Sequence, residues 1–164
     1  MIEDPLPGYR FIVTLDPADA YLPPEQAALV TLVAGGAFSA VKGLGAELEV
    51  MPQPEGGRND FVHQLPVRHS WPRITLSRGV VRDWTLWEWY LAGLTQSLGA
   101  RRDGAIVLMT PGGTPALAWA FRGGLAAHWT GPEMSAADNA VALESLEIAH
   151  QGLTQATVTP PGTP

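Results

Sequence analysis

Asp60, His63, His69 and Ser70 lie within one short stretch and supply an acid, two imidazoles and a hydroxyl. Those residue types can perform nucleophilic catalysis, in which a carboxylate orients an imidazole that takes the proton of the attacking hydroxyl. The surroundings of Ser70 do not support it. The residue sits in RHSWP rather than in a G-x-S-x-G turn, and nothing beside it would build an oxyanion hole. Asp60, His63 and His69 could also be considered as zinc ligands, yet their spacing fits neither a helical H-x-x-x-H nor a finger. His128 and His150 are isolated, and the absence of cysteine removes thiolate nucleophiles, disulfides and cysteine-ligated metals. The glycine pairs at 35–36, 56–57, 112–113 and 123–124 form neither G-x-G-x-x-G nor a phosphate-cradling loop, and read as turns and bulges. No catalytic, cofactor or metal residue is therefore assigned. A β-sandwich module that binds or hydrolyses through Asp60, His63 and His69 remains as a chemical alternative.

The elements that would carry these residues are mostly strands. Tyr9 to Leu15 is aromatic and β-branched and predicts a first strand, with a turn at Asp16-Pro17. The segment 16–36 reads as an extended insertion: a proline-rich loop to Gln26, then an apolar run from Ala27 to Ala34 with the character of a buried strand, closed by Gly35-Gly36. Phe38 to Leu44 predicts the next strand. From Ala46 to Met51, Glu47 and Glu49 alternate with Leu48 and Val50, the period of a half-buried strand. Gln53 to Pro66 reads as a long connection, and Ser70 to Val81 as a strand ending at Gly79. One helix is predicted. Asp83 caps it, Trp84, Trp87, Leu91, Leu94 and Leu98 repeat at steps of three and four to face the sheet, and Gly99 stops it. That stripe leaves Leu86, Trp89 and Tyr90 on other faces. Gly104 to Met109, Ala116 to Trp129 and Asn139 to Leu153 predict further strands, the last long and bulged. Residues 154–164, rich in Thr, Pro and Gly, read as a mobile tail.

Composition sets the frame for these elements. A chain of 164 residues, 46% hydrophobic and 16% charged, suits one folded domain. With 18 glycines and 15 prolines, turns are frequent, which favours short strands. The net charge is −6 and Lys42 is the sole lysine among ten basic residues, so no basic stripe favours specific nucleic-acid binding. No apolar run reaches the roughly 18 residues of a membrane span, and the N-terminus lacks the pattern of a signal peptide, which predicts cytoplasmic synthesis.

Taken in order, GYRFIV, FSAVKGL, EGGRNDFVHQLPVRHSWPRITLSRG, LWEWY and WTGPEMSAADNAVALESLEIAHQGL form a collinear series over about residues 7–153. The series resembles the tail tube family of T4-like contractile phages and its relatives in extracellular contractile injection systems. That resemblance implies a mainly β fold with one helix, a small β-barrel or two-sheet domain, six copies of which form rings that stack into a hollow tube. The implied partners are further copies of itself, the sheath protein, baseplate or spike proteins, tube paralogues and a cargo in the lumen. The particle, released or cytoplasmic, would be an injection system, or alternatively a phage virion tail. The resemblance places Gly56, Gly57, Arg58, Asn59, Asp60 and Phe61 in a subunit-interface loop. It places Glu88, Trp89 and Tyr90 of the helix against the sheath or a neighbour, and makes Glu47, Glu49 and Glu144 candidates for the lumen. The insertion at 16–36 and the tail beyond 153 depart from the family pattern and raise the expectation of a specialised ring at the baseplate end.

Overall fold

The computed structural model describes residues 8, 10–15, 38–54, 56–57, 61–96, 100–137 and 141–157. The apolar run at 27–34, Gly35-Gly36, Arg58, Asn59, Asp60, Gly99 and the tail beyond 157 lie outside them.

Nine strands and one helix are described: β1 (Phe11–Leu15), β2 (Phe38–Lys42), β3 (Glu47–Gln53), β4 (His63–Ser70), β5 (Ile74–Gly79), α1 (Thr85–Gln96), β6 (Arg102–Met109), β7 (Pro115–Thr130), β8 (Leu143–Ala149) and β9 (Gly152–Thr157). Seven strands form one antiparallel sheet in the order β1-β6-β7-β8-β5-β2, with β9 also paired to β7. The long strand β7 organises it. The first half of β7 pairs with β6 and β9, and its second half, from Leu125, pairs with β8.

The change of partner occurs at Gly123-Gly124. At Gly124 a Cβ would lie 2.9 Å from Arg102 O, so space selects glycine, and Gly123 has φ of 58°, a backbone conformation that selects it. Its N–H donates to the buried Asp103 Oδ1 at 2.7 Å. A strand that bends at such a corner passes from one layer to another. The sheet thus folds into a first layer, β1-β6-β7-β9, and a second layer, β7-β8-β5-β2. The single bulged strand expected between Asn139 and Leu153 is two strands in line. Leu125 pairs Ala149 and Arg122 pairs Gly152, and the line breaks at His150-Gln151 because it must turn the corner with β7. β9 also runs to Thr157, so 154–157 is an ordered strand rather than part of a tail.

The core lies between the layers. Val13 and Leu15 of β1, Ile106 and Phe121 meet Ile74 and Leu76 of β5 and Leu146 and Ile148 of β8, all almost inaccessible. The alternation read in β5 is what directs Ile74 and Leu76 inward.

The helix forms as predicted but presents a different face. Leu86 and Trp89 are the buried residues, while Trp84 and Leu94 of the expected stripe are 68% and 67% exposed. The indole N–H of Trp89 donates to Ala100 O at 2.8 Å, and the Arg102 guanidinium lies 5.8 Å from the ring centroid. A buried Trp needs a partner for its one donor, and that requirement fixes the helix rotation.

The stretch Gln53 to Pro66 is not one long connection. Its second part enters β4, which pairs with β3 as a separate two-stranded ribbon. Every residue of both strands is exposed, so β3 is not half-buried as its alternation suggested. The alternation gave the two faces, but among the described residues nothing covers either.

Candidate functional site: the assembly surfaces

Of the residues considered for catalysis, Asp60 lies outside the described ones, and the two imidazoles are far apart. His63 and His69 stand at opposite ends of β4, about 20 Å apart at the usual rise per residue. His63 packs edge-on against Phe61 at 4.9 Å, His69 lies 4.4 Å from the Trp71 ring, and Ser70 pairs Glu47 across the ribbon. Among the described residues no three His, Cys, Asp or Glu side chains gather to hold a metal.

What the described residues do present is exposed apolar surface. A register shift opposite Glu49-Val50 leaves Val67 as the extra residue of β4, and Leu48, Val50, Pro66 and Val67 share one face of the ribbon. The other face carries Glu47, Glu49, Met51 and Leu65, with Arg68 donating to Glu49 Oε2 from Nη2 at 2.8 Å. Leu48, Val50, Met51, Phe61, Val62, Leu65 and Val67 are each 41–57% exposed. Apolar groups this dense on one projecting element are characteristic of a protein contact. Of the loop residues expected at an interface, Gly56, Gly57 and Phe61 are placed at the ribbon's turn, with Gly57 at φ of 94°. Leu65 and Val67 were passed over in the sequence because Pro66 between them reads as loop rather than edge strand.

The ribbon's root is tied to the sheet corner by His150. Its Nε2 lies 3.0 Å from Pro72 O and its Nδ1 3.1 Å from Gly152 O. A neutral ring donates one of these bonds and a protonated ring both. Replacing His150 with Phe keeps the ring but removes both links. Its expected result is faster amide exchange across residues 63–72 with the β5 and β8 amides unchanged, read by hydrogen–deuterium exchange. Equal exchange in both proteins would show that the ribbon is held elsewhere.

Glu144 and Trp89 are corrected by their burial. Glu144 is 8% exposed and faces the core, where Oε1 accepts from Arg78 Nε at 2.6 Å and Oε2 from Trp129 Nε1 at 3.2 Å, so it lines no channel. Trp89 is 1% exposed and cannot meet a sheath or a neighbour. Glu88 is exposed on α1, Tyr90 is half-buried with its ring 5.6 Å from that of Trp87, and Glu47 and Glu49 are exposed on the ribbon.

Arg78 is fully buried and completes a network that sequence reading missed. Its Nη1 donates to Asp83 Oδ2 at 3.1 Å and Nη2 to Asp83 O at 3.0 Å. Asp83 Oδ1 in turn caps α1 by accepting from Thr85 N at 3.1 Å and from the Thr85 hydroxyl. These bonds, the Thr85 hydroxyl first, hold the Asp83 carboxyl below its ordinary range against the opposing effect of burial, with the Arg78 charge adding to them. A lowered carboxylate pKa contributes stability that is present above the ordinary aspartate range and is lost as pH falls through the lowered value.

The described residues thus form a two-layer β domain with one wedged helix and an exposed two-stranded ribbon. Residues 7–154 match the family model of the T4-like virus tail tube protein gp19. The chain belongs to that family. It is a structural tail tube protein and not an enzyme. No curated protein matches it. Among solved structures, a chain of the anti-feeding prophage baseplate, 6-fold symmetrised, is similar with a TM-score of 0.77 and 23% identity, over 96% of the tube protein and 99% of that chain. A chain of the anti-feeding prophage cap gives 0.74 and 24% over 96% and 95%. A chain of the sheath-tube complex of the PVC extracellular contractile injection system, in its extended state, gives 0.74 and 23% over 96% and 95%. These likenesses share the fold of the described core.

Proposed function

We propose that this tube protein is the inner-tube subunit of a contractile, phage-tail-like injection particle, closing into six-membered rings that stack into a hollow conduit inside a sheath. The observation that carries the reading is the ribbon β3-β4, which is exposed on both faces among the described residues and rich in apolar side chains suited to burial against another protein. The sheet edges support it. Among the described residues, β2 pairs only β5, and residues 125–130 of β7 pair only β8. Open edges are a liability that joining edge to edge in a closed ring removes. The loop around Gly56, Gly57, Arg58, Asn59, Asp60 and Phe61 then reaches a neighbouring copy. Glu88 and the exposed Trp84, Leu91 and Leu94 give α1 an outward face for sheath or neighbour. Baseplate proteins and tube paralogues continue the conduit at its ends.

Negative-stain microscopy of the purified chain, alone and co-expressed with its sheath and baseplate neighbours, tests the proposal. Rings or tubes with six-fold views are expected. Val50→Asp with Val67→Asp places two charges on the ribbon's apolar face, where an interface would have to bury them, and is expected to abolish tubes while leaving the circular dichroism spectrum and melting unchanged. Undiminished tubes from that folded variant would remove the ribbon from the interface.

A further inference from the structure

Both ring nitrogens of His150 face backbone carbonyl oxygens, Nε2 toward Pro72 O and Nδ1 toward Gly152 O. A carbonyl can only accept, so each contact is a hydrogen bond only while the nitrogen facing it carries a proton. A neutral imidazole has one such proton, and in either tautomer its other nitrogen sets a lone pair against a carbonyl oxygen. The imidazolium donates to both. The two carbonyls belong to separate parts of the fold. Pro72 stands between β4 and β5 at the foot of the ribbon, and Gly152 opens β9 just past the corner where β8 ends. The Trp71 ring bridges the same gap, 4.4 Å from His69 of the ribbon and 6.0 Å from His150, and the Phe121 ring of β7 is 6.3 Å from His150. Both strands of the ribbon are exposed along their length, so among the described residues the root is where its angle to the sheet is set.

We infer that His150 is a proton-operated latch, tying the root of the ribbon β3-β4 to the sheet corner by two bonds when protonated and by one when neutral. Histidine side chains change charge between about pH 5 and 8, so the second bond is present in acid and is lost as pH rises through that range. The charged and titratable groups around the ring come from each element packed against it. Arg73, next to Pro72, is paired with Glu147 of β8 at 3.1 Å. Arg122 of β7 is the cross-strand partner of Gly152 and is exposed. Arg101 lies 3.2 Å from the Gln151 side-chain amide, and Asp103 of β6 accepts from Gly123 N. His69 stands beyond Trp71. These charges are mixed in sign, and the ring nitrogens point at carbonyls rather than at any of them, so the number of bonds made at the root sets the response. A ribbon fixed at its root has less freedom left to lose on meeting another protein, so acid favours its docking. That consequence rests on the tube reading above, whereas the latch is a property of the single chain.

Hydrogen–deuterium exchange of the unassembled full chain at about pH 5 and about pH 8, with each amide corrected for its intrinsic rate, tests the latch. Protection across residues 63–72 is expected to be roughly threefold to tenfold higher in acid, the scale of one partly exposed bond from a charged donor, while the β5 and β8 amides serve as the reference that does not move. His150→Phe and His150→Gln are each expected to abolish the difference. The glutamine amide can donate but cannot gain charge, so this variant decides the question if the phenylalanine one fails to fold. Equal ribbon protection at both pH values in the native chain overturns the inference. A difference that survives in His150→Gln does so too, and passes the response to His63 or His69. The docking consequence is read from the tubes pelleted at the two pH values. The yield of the native chain relative to His150→Gln is expected to rise in acid, and an unchanged ratio beside a working latch removes that consequence alone. Absence of tubes from the native chain at both pH values removes the tube reading and leaves the latch to the exchange result.

Discussion

Arg78→Ala is expected to lower the unfolding free energy of the tube protein by about 3–5 kcal/mol, the scale for removing one partner of a buried ion pair. Stability of a domain is usually about 5–15 kcal/mol, so the loss is a large fraction of the whole. The size follows from what is left behind. Glu144 sits in the core with Oε1 bonded to Arg78 Nε, and without the guanidinium that oxygen is buried and unpaired. Asp83 loses two donors at once, and with them the link between the helix start and β5. Arg78→Lys is expected to recover little, because a single ammonium cannot reproduce a fork that serves two carboxylates and a carbonyl. Arg78→Met combined with Glu144→Leu is expected to recover much of the loss, since an apolar pair of similar volume leaves no buried charge. Urea unfolding of the three variants decides it. A single variant within about 0.5 kcal/mol of the parent, the usual range of an uninvolved surface change, would show that the network contributes nothing.

The second large effect is expected at Trp89. Truncation to alanine removes the largest fully buried side chain from the space between the helix and the layers, and should cost about 3–5 kcal/mol. Trp89→Phe keeps most of the ring but leaves Ala100 O without its donor, and should cost about 1–3 kcal/mol. Trp84→Ala serves as the contrast. That ring is mostly exposed, so its loss should stay within about 0.5 kcal/mol in the unassembled protein. Thermal unfolding monitored by near-ultraviolet circular dichroism separates the three. A greater loss for Trp84 than for Trp89 would mean that the helix faces the core through the stripe predicted from periodicity.

That contrast marks where sequence and structure part. The local features were legible because their causes are local. Asp83 ahead of an apolar run signals a helix start, and alternation in Ile74 to Gly79 signals a strand with one buried face. The collinear series over nearly the whole chain indicated the family, since order and spacing of many residues are properties of sequence alone. The rotation of α1 was not legible. Two stripes of this aromatic helix are apolar, and the choice fell to the one whose Trp finds a carbonyl acceptor on Ala100, a partner eleven residues away that only the folded chain brings near. Glu144 and Glu49 show the same division. Glu49 alternates with the apolar Leu48 and Val50, whereas Glu144 shares its two-residue period with Leu146 and Ile148. Glu144 is turned into the core because Arg78 and Trp129 converge on it from β5 and β7, whereas Glu49 stays in water on a ribbon that no layer covers. The sequence by itself determined most of the elements, the composition of their faces and the family. Tertiary structure decided which face each element buries, because burial depends on partners distant in the chain whose donors, acceptors and volumes must match.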